Sequence, residues 1–88
     1  KGNDRISIYP NPVSSGFVNV SFEKVTPGLY TIELTDASGR KVINQVAEIT
    51  GVQQQRLTLP KSSAAGMYMI RVLNADGRSV FYEKIVVQ

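Results

Sequence analysis

Gly28-Leu29-Tyr30-Thr31-Ile32-Glu33-Leu34-Thr35-Asp36-Ala37-Ser38-Gly39-Arg40-Lys41-Val42 decides the fold class. Tyr30, Ile32 and Leu34 fall on one side of an extended chain and Thr31, Glu33 and Thr35 on the other, because successive side chains of a strand point to opposite faces. One face reads as buried and the other as wet. Asp36-Ala37-Ser38-Gly39 then supplies a hairpin turn in which Gly39 takes a positive φ, and Arg40-Lys41 begins the return. The pattern recurs 38 residues later as Gly66-Met67-Tyr68-Met69-Ile70-Arg71-Val72-Leu73-Asn74-Ala75-Asp76-Gly77-Arg78-Ser79-Val80, with seven of the fifteen paired positions identical. Two copies make a pair of related hairpins and not a solenoid, which needs about three repeats or more.

Outward from this pair, short β-type runs punctuated by Gly, Pro, Asn and Asp recur about every 8 to 12 residues, the spacing of an all-β sandwich or barrel. Ile6-Ser7-Ile8-Tyr9 is the first run and stops at Pro10-Asn11-Pro12, where two prolines remove backbone donors. Phe17 to Phe22 is the second, turned by Thr26-Pro27-Gly28. The return strand over residues 41–49 carries Val42, Val46 and Ile49 as its apolar positions. Runs over 54–59, 67–73 and 79–87 bring the expected count to seven strands. Lys61-Ser62-Ser63-Ala64-Ala65 is too short for a helix and reads as a loop.

Composition narrows the chemistry. At 88 residues and 42% apolar content the chain builds one modest core. It contains no His and no Cys, which excludes a His-based triad, a thiol nucleophile, a thiolate zinc site and a disulfide framework. No cofactor and no enzymatic activity are expected. A net charge of +3 spread along the chain forms no basic tract, so nucleic acid is not an expected partner. The longest apolar run, Met67 to Ile70, is four residues, against the roughly 20 of a transmembrane helix. The opening Lys1-Gly2-Asn3-Asp4-Arg5 has neither an initiator Met nor a signal core, so the chain reads as cut from a longer one.

Several residues are candidates for function. Met69, Arg71 and Leu73, with Met67 just ahead, occupy the face opposite Tyr68, so the second copy is apolar on both sides. Either its strand is covered on both faces, or Met67, Met69 and Leu73 form an exposed, adaptable interaction face. Asp36 and Asp76 lie in the two turns, where an Asp ordinarily bonds its own backbone. Lys61-Ser62-Ser63 shows no oxyanion element that would make a nucleophile of a serine. Asn19-Val20-Ser21 fits the glycosylation pattern but lies inside a strand. Tyr30 and Tyr68 fall at alternating apolar positions and read as core rings. Phe81-Tyr82-Glu83-Lys84-Ile85-Val86-Val87-Gln88 is strongly β-prone; it is either a purely structural last strand or, at an edge, a template on which another protein or a second copy adds a strand.

Tyr9-Pro10-Asn11-Pro12, Gly28-Leu29-Tyr30 with Asp36-Ala37-Ser38-Gly39-Arg40, Leu57-Thr58-Leu59 leading to Gly66-Met67-Tyr68-Met69-Ile70-Arg71-Val72, and Lys84-Ile85-Val86-Val87 together resemble the type A C-terminal sorting domain of type IX secretion. The resemblance runs from Ile6 to Gln88, with a connection from Pro60 to Gly66 that is long for the pattern. It implies an immunoglobulin-like β-sandwich of about seven antiparallel strands over residues 6–88, with residues 1–5 the end of a linker from an upstream cargo protein. It implies partners: the outer-membrane translocon and a sortase-like protease that removes the domain and couples the cargo to anionic lipopolysaccharide. It implies passage through the periplasm of a Gram-negative bacterium to the cell surface or beyond. Translocon recognition would fall on Gly66 and Tyr68 and on Lys84, Ile85, Val86, Val87 and Gln88, with cleavage near or before residues 1–5. The rival expectation is a passive immunoglobulin-like or fibronectin-like spacer, or a glycan-binding module of a surface protein. An edge position for the last strand would also allow a homodimer through it.

Overall fold

The alternation expected around Tyr30 is present in the computed structural model, which describes residues 5–88. The strands are β1 (Arg5–Tyr9), β2 (Phe17–Glu23), β3 (Gly28–Asp36), β4 (Lys41–Ile49), β5 (Gln53–Thr58), β6 (Gly66–Leu73) and β7 (Ser79–Val87). They form two antiparallel sheets, β1-β2-β5 and β4-β3-β6-β7, packed face to face as the immunoglobulin-like sandwich that the resemblance implies. Residues 61–65 are loop, as expected. Of the expected linker, residues 1–4 lie outside the described residues, while Arg5 already pairs with Glu23 in β1.

The core lies between the sheets. Val18, Val20 and Phe22 of β2 and Leu57 of β5 face Ile32 and Leu34 of β3, Ile49 of β4, Ile70 and Val72 of β6 and Ile85 of β7, and all are sealed from solvent. The described buried residues are all apolar. One expectation fails in β4, where Val46 is exposed and Ala47 and Ile49 point inward. Val42, Val46 and Ile49 do not share one parity, and in a strand parity decides the face.

The sequence repeat is a structural one. Gly28 pairs with Ile49 as Gly66 pairs with Val87, and Tyr30 pairs with Ala47 as Tyr68 pairs with Ile85. Each hairpin has its register shift at the same place, Leu34/Thr35 and Val72/Leu73. Between the hairpins, β3 and β6 pair with Glu33 opposite Arg71, two positions that are themselves equivalent in the repeat. The four-stranded sheet therefore has a pseudo-twofold axis through the Glu33/Arg71 pair.

Identical devices close both copies. The Asp36 Oδ1 accepts from the backbone N–H of Ser38 at 3.0 Å and of Arg40 at 2.9 Å. The Asn74 Oδ1 accepts from Asp76 at 2.9 Å and Arg78 at 3.0 Å. The Tyr30 hydroxyl donates to the Thr26 carbonyl and the Tyr68 hydroxyl to the Ala64 carbonyl, each four residues back. Gly39 and Gly77 take φ of +92° and +82° in the turns, a region open to glycine at little cost.

Candidate functional site

The expected recognition residues divide by the pleat of the last hairpin. Tyr68, Ile85 and Val87 point into the core and are nearly or wholly inaccessible. Their work is to hold the hairpin. Gly66 is exposed at the start of β6 with φ +142°. Lys84, Val86 and Gln88 are exposed, and Val86 and Lys84 point to the outer face of the sheet.

That outer face carries a cluster of apolar side chains on its β6–β7 half, while exposed Leu29 and Val46 lie on its β3–β4 half. Met67 (47% exposed) lies beside Val86 (41%), and half-buried Met69 lies next, in register with Lys84. Tyr82 (53% exposed) reaches across and donates its hydroxyl to the Met69 sulfur. Leu73 does not join them. It stands six residues along β6 from Met67, about 20 Å at strand rise, and pairs with Thr31 instead. The expectation that β6 is covered on both faces is corrected: its flanks are paired with β3 and β7, but Arg71 and Met67 are open to solvent. Tyr82 and Val86 were missed as members of the patch. The signal was available, because Ile85 and Val87 facing inward require residues 82, 84 and 86 to face outward.

The charges on this face are cationic around the patch. Lys84 and Arg71 are exposed there, and farther across the sheet Lys41 bonds Glu33 at 3.2 Å. By contrast the outer face of the three-stranded sheet carries Ser7, Tyr9, Asn19, Ser21, Gln54 and Arg56, with the Arg56 guanidinium 3.9 Å from the centre of the Phe17 ring.

Of the two readings of the last strand, purely structural or an open template at an edge, the template is not fully open. The β7 edge turned away from β6 is already occupied near its end. The Asn11 side chain donates to the Lys84 carbonyl at 3.3 Å and accepts from the Val86 N–H at 3.2 Å. Val13 then donates to the Val86 carbonyl at 2.7 Å and accepts from the Gln88 N–H at 2.8 Å, forming a parallel bridge to Val87. A homodimer through this end of the strand would first have to displace residues 11–13.

Two clefts follow from the pseudo-symmetry, each between one hairpin turn and the loop that precedes the other hairpin. The larger, of about 480 Å³, is bounded by Asp36, Arg40, Ser63 and Tyr68; the smaller, of about 270 Å³, by Tyr30, Asn74 and Asp76. Hydrogen bonds from Ser38 and from the Arg40 backbone hold the Asp36 carboxyl below the usual carboxylate range. Its role is that of a turn residue, as expected. Its structural counterpart is Asn74, not Asp76. No group of three or more His, Cys, Asp or Glu that could hold a metal is present among the described residues. No described helix is long and apolar enough to cross a membrane.

The fold resembles a solved structure, the crystal structure of CopC from Methylosinus trichosporium OB3b, with a TM-score of 0.67, 18% identity, and coverage of 98% of this chain and 94% of that one. At that identity the likeness concerns the fold alone. No curated protein matches. The family model described as a secretion system C-terminal sorting domain matches residues 7–88. That span takes in both hairpins, the Tyr9-Pro10-Asn11-Pro12 corner and the terminal strand together, and the chain belongs to the family of type IX secretion C-terminal sorting domains.

Proposed function

We infer that this domain is an address label that the outer-membrane translocon of type IX secretion reads through the outer face of the β6–β7 hairpin. The domain itself makes and breaks no bonds. Family membership over residues 7–88 supports the sorting role. The observation that favours the hairpin face is the contiguous patch of exposed Met67, Tyr82 and Val86 with half-buried Met69, joined by the Tyr82–Met69 contact. Contiguous exposed apolar surface of this kind marks interaction sites, and Met side chains re-pack against a partner at little cost. Exposed Lys84 and Arg71 beside it favour a partner surface with acidic groups at its rim.

In this reading the cargo is fused upstream of β1, passes through the periplasm and leaves at the cell surface or beyond. A sortase-like cysteine protease then cuts before the folded part and couples the cargo to anionic lipopolysaccharide. The cut falls near or before residues 1–5, mostly outside the described residues. The lack of His and Cys in the chain is consistent with the catalysis residing in that protease.

A passenger fused to residues 1–88 in a host that has the secretion system tests this. The passenger is expected outside the cells, and the triple variant Met67→Ser, Tyr82→Ser, Val86→Ser is expected to leave it in the periplasm. Export of the triple variant at the full level removes this face from the signal.

A further inference from the structure

From Tyr9 to Gly16 the chain touches the core at one point. Val13 is fully buried, while Tyr9, Pro10, Asn11, Pro12, Ser14, Ser15 and Gly16 are all exposed. Apart from that peg, residues 11–13 are tied to the body of the sandwich by the four hydrogen bonds to the β7 edge at Lys84, Val86 and Gln88. Few buried contacts and exposed hydrogen bonds are the physical marks of a segment that opens at lower free energy than the whole domain.

The chemistry of the contact is that of a strand. The Asn11 amide presents one donor and one acceptor to Lys84 and Val86, as the backbone of a neighbouring strand would, and Val13 continues the row with its own backbone. The groups on β7 are therefore complementary to an extended polypeptide, and this chain supplies a short stand-in for one. Beyond Lys84 toward Tyr82 the same edge runs on without a paired strand among the described residues, because β7 is last in its sheet.

We propose that residues 11–13 are a releasable clasp on the edge of β7, and that the ligand for the edge they vacate is an extended strand of a partner protein. When the clasp lifts, the carbonyls of Lys84 and Val86 and the N–H groups of Val86 and Gln88 are exposed in one row that continues the open edge. A strand added there would lie beside the apolar face formed by Tyr82, Val86 and Met67. The clasp thus prevents strand addition until it is released, which is how an exposed edge is kept from pairing indiscriminately. Its use in export rests on the sorting role inferred above.

Amide hydrogen exchange on the intact chain tests the clasp. The residues of β7 alternate in direction, so the Val86 and Gln88 N–H groups report on the clasp while those of Ile85 and Val87 report on pairing with β6. Asn11→Ala is expected to speed exchange at Val86 and Gln88 about tenfold or more, the loss of a hydrogen bond or two, with Ile85 and Val87 unchanged. Equal acceleration at all four, or at none, overturns the clasp.

A second arm tests the occupant. The chain has no cysteine, so Val13→Cys with Val87→Cys can staple the bridge position, as the spacing of paired strands permits. A passenger fused to the stapled domain is expected to stay in the periplasm and to be exported when the staple is reduced. Full export with the staple intact overturns the proposal. So does a stable dimer of Asn11→Ala in light scattering, since it assigns the vacated edge to a second copy. Failure of the unmodified fusion to be exported rejects the sorting role and leaves the exchange result to decide the clasp.

Discussion

Removal of residues 84–88 is the obvious way to delete a terminal signal, and the structure says that it damages the fold as well. The deletion takes away Ile85, which is sealed in the core, and Val87, which is 8% exposed. Burying each of these side chains is worth about 1.5 to 3 kcal/mol, so their loss removes about 3 to 6 kcal/mol. Val13 also loses both of its backbone bonds to β7. Domains of this kind have a total stability of about 5 to 15 kcal/mol, so the truncated chain loses a large share of it and is largely unfolded if the parent lies near the low end. In a urea titration followed by tyrosine fluorescence, a slope of about 2 kcal/mol per molar puts the loss at about 1.5 to 3 M in the midpoint. The matched variant Lys84→Ser, Val86→Ser changes only outward residues and is expected to stay within about 0.5 kcal/mol of the parent. A truncated chain whose midpoint lies within about 0.5 M of the full-length protein refutes the assignment of Ile85 and Val87 to the core. The consequence for function is direct: lost export after truncation does not distinguish a missing signal from a missing fold, whereas lost export in the outward variant does.

The remaining expectations draw on the pseudo-symmetry. Tyr30→Phe and Tyr68→Phe each remove a hydroxyl bonded to a carbonyl four residues back; each is expected to lower the unfolding free energy by about 0.5 to 1.5 kcal/mol in urea melts, and costs differing by more than about 1 kcal/mol contradict the equivalence of the hairpins. Gly39→Ala and Gly77→Ala place a Cβ where nothing lies within 4 Å but φ is positive, so the loss is conformational, about 1 to 2 kcal/mol each by thermal melting. For the turns, acid should separate what the twofold relates. The Asp36 carboxyl is held below its ordinary value in the fold, so its contribution is present above the unfolded value and is lost as pH falls through the folded one. Amide shifts of Ser38 and Arg40 are accordingly expected to move on acidification below that ordinary value while that of Arg78, bonded to the neutral amide of Asn74, stays still; Asp36→Asn should abolish the difference.

Much of the fold was legible because its signals are local. Alternation at Tyr30, Ile32 and Leu34 fixes the buried face of β3, and the 38-residue offset relates it to β6. The two Asx turns and Gly39 and Gly77 close the hairpins through bonds that span at most four residues. β4 was misread where it interrupts its own alternation: Val42 and Ile43 are adjacent and both half-buried, next to the register shift at Leu34/Thr35, so counting apolar residues without their parity chose Val46. The same offset aligns Asp36 with Asn74, and in the fold the Asn74 amide oxygen makes the bonds that the Asp36 carboxylate makes.

The site was legible only in part, because its defining contacts join distant segments. Asn11 meets Lys84 and Val86 across 73 and 75 residues, and no periodicity or spacing reports such a pairing. The Tyr9-Pro10-Asn11-Pro12 corner and the terminal strand are separate motifs in the sequence; in the fold Asn11 and Val13 join the corner to the strand as one hydrogen-bonded unit. Met67 and Met69 were found because they sit in an alternating strand, and Leu73 was grouped with them because the same strand continues. What separates Leu73 from them is its distance along β6 and its partner Thr31, which depend on the register between the hairpins.

Passenger export compared between two equally folded variants bears most directly on the recognition face. One carries Met67→Ser, Tyr82→Ser and Val86→Ser on the outer face of β6–β7; the other carries Tyr9→Ser, Asn19→Ser and Arg56→Ser on the outer face of the three-stranded sheet. The passenger is expected to accumulate in the periplasm with the first and to reach the medium or cell surface at the parental level with the second. The reverse pattern, or equal export of both, would contradict recognition through the β6–β7 face.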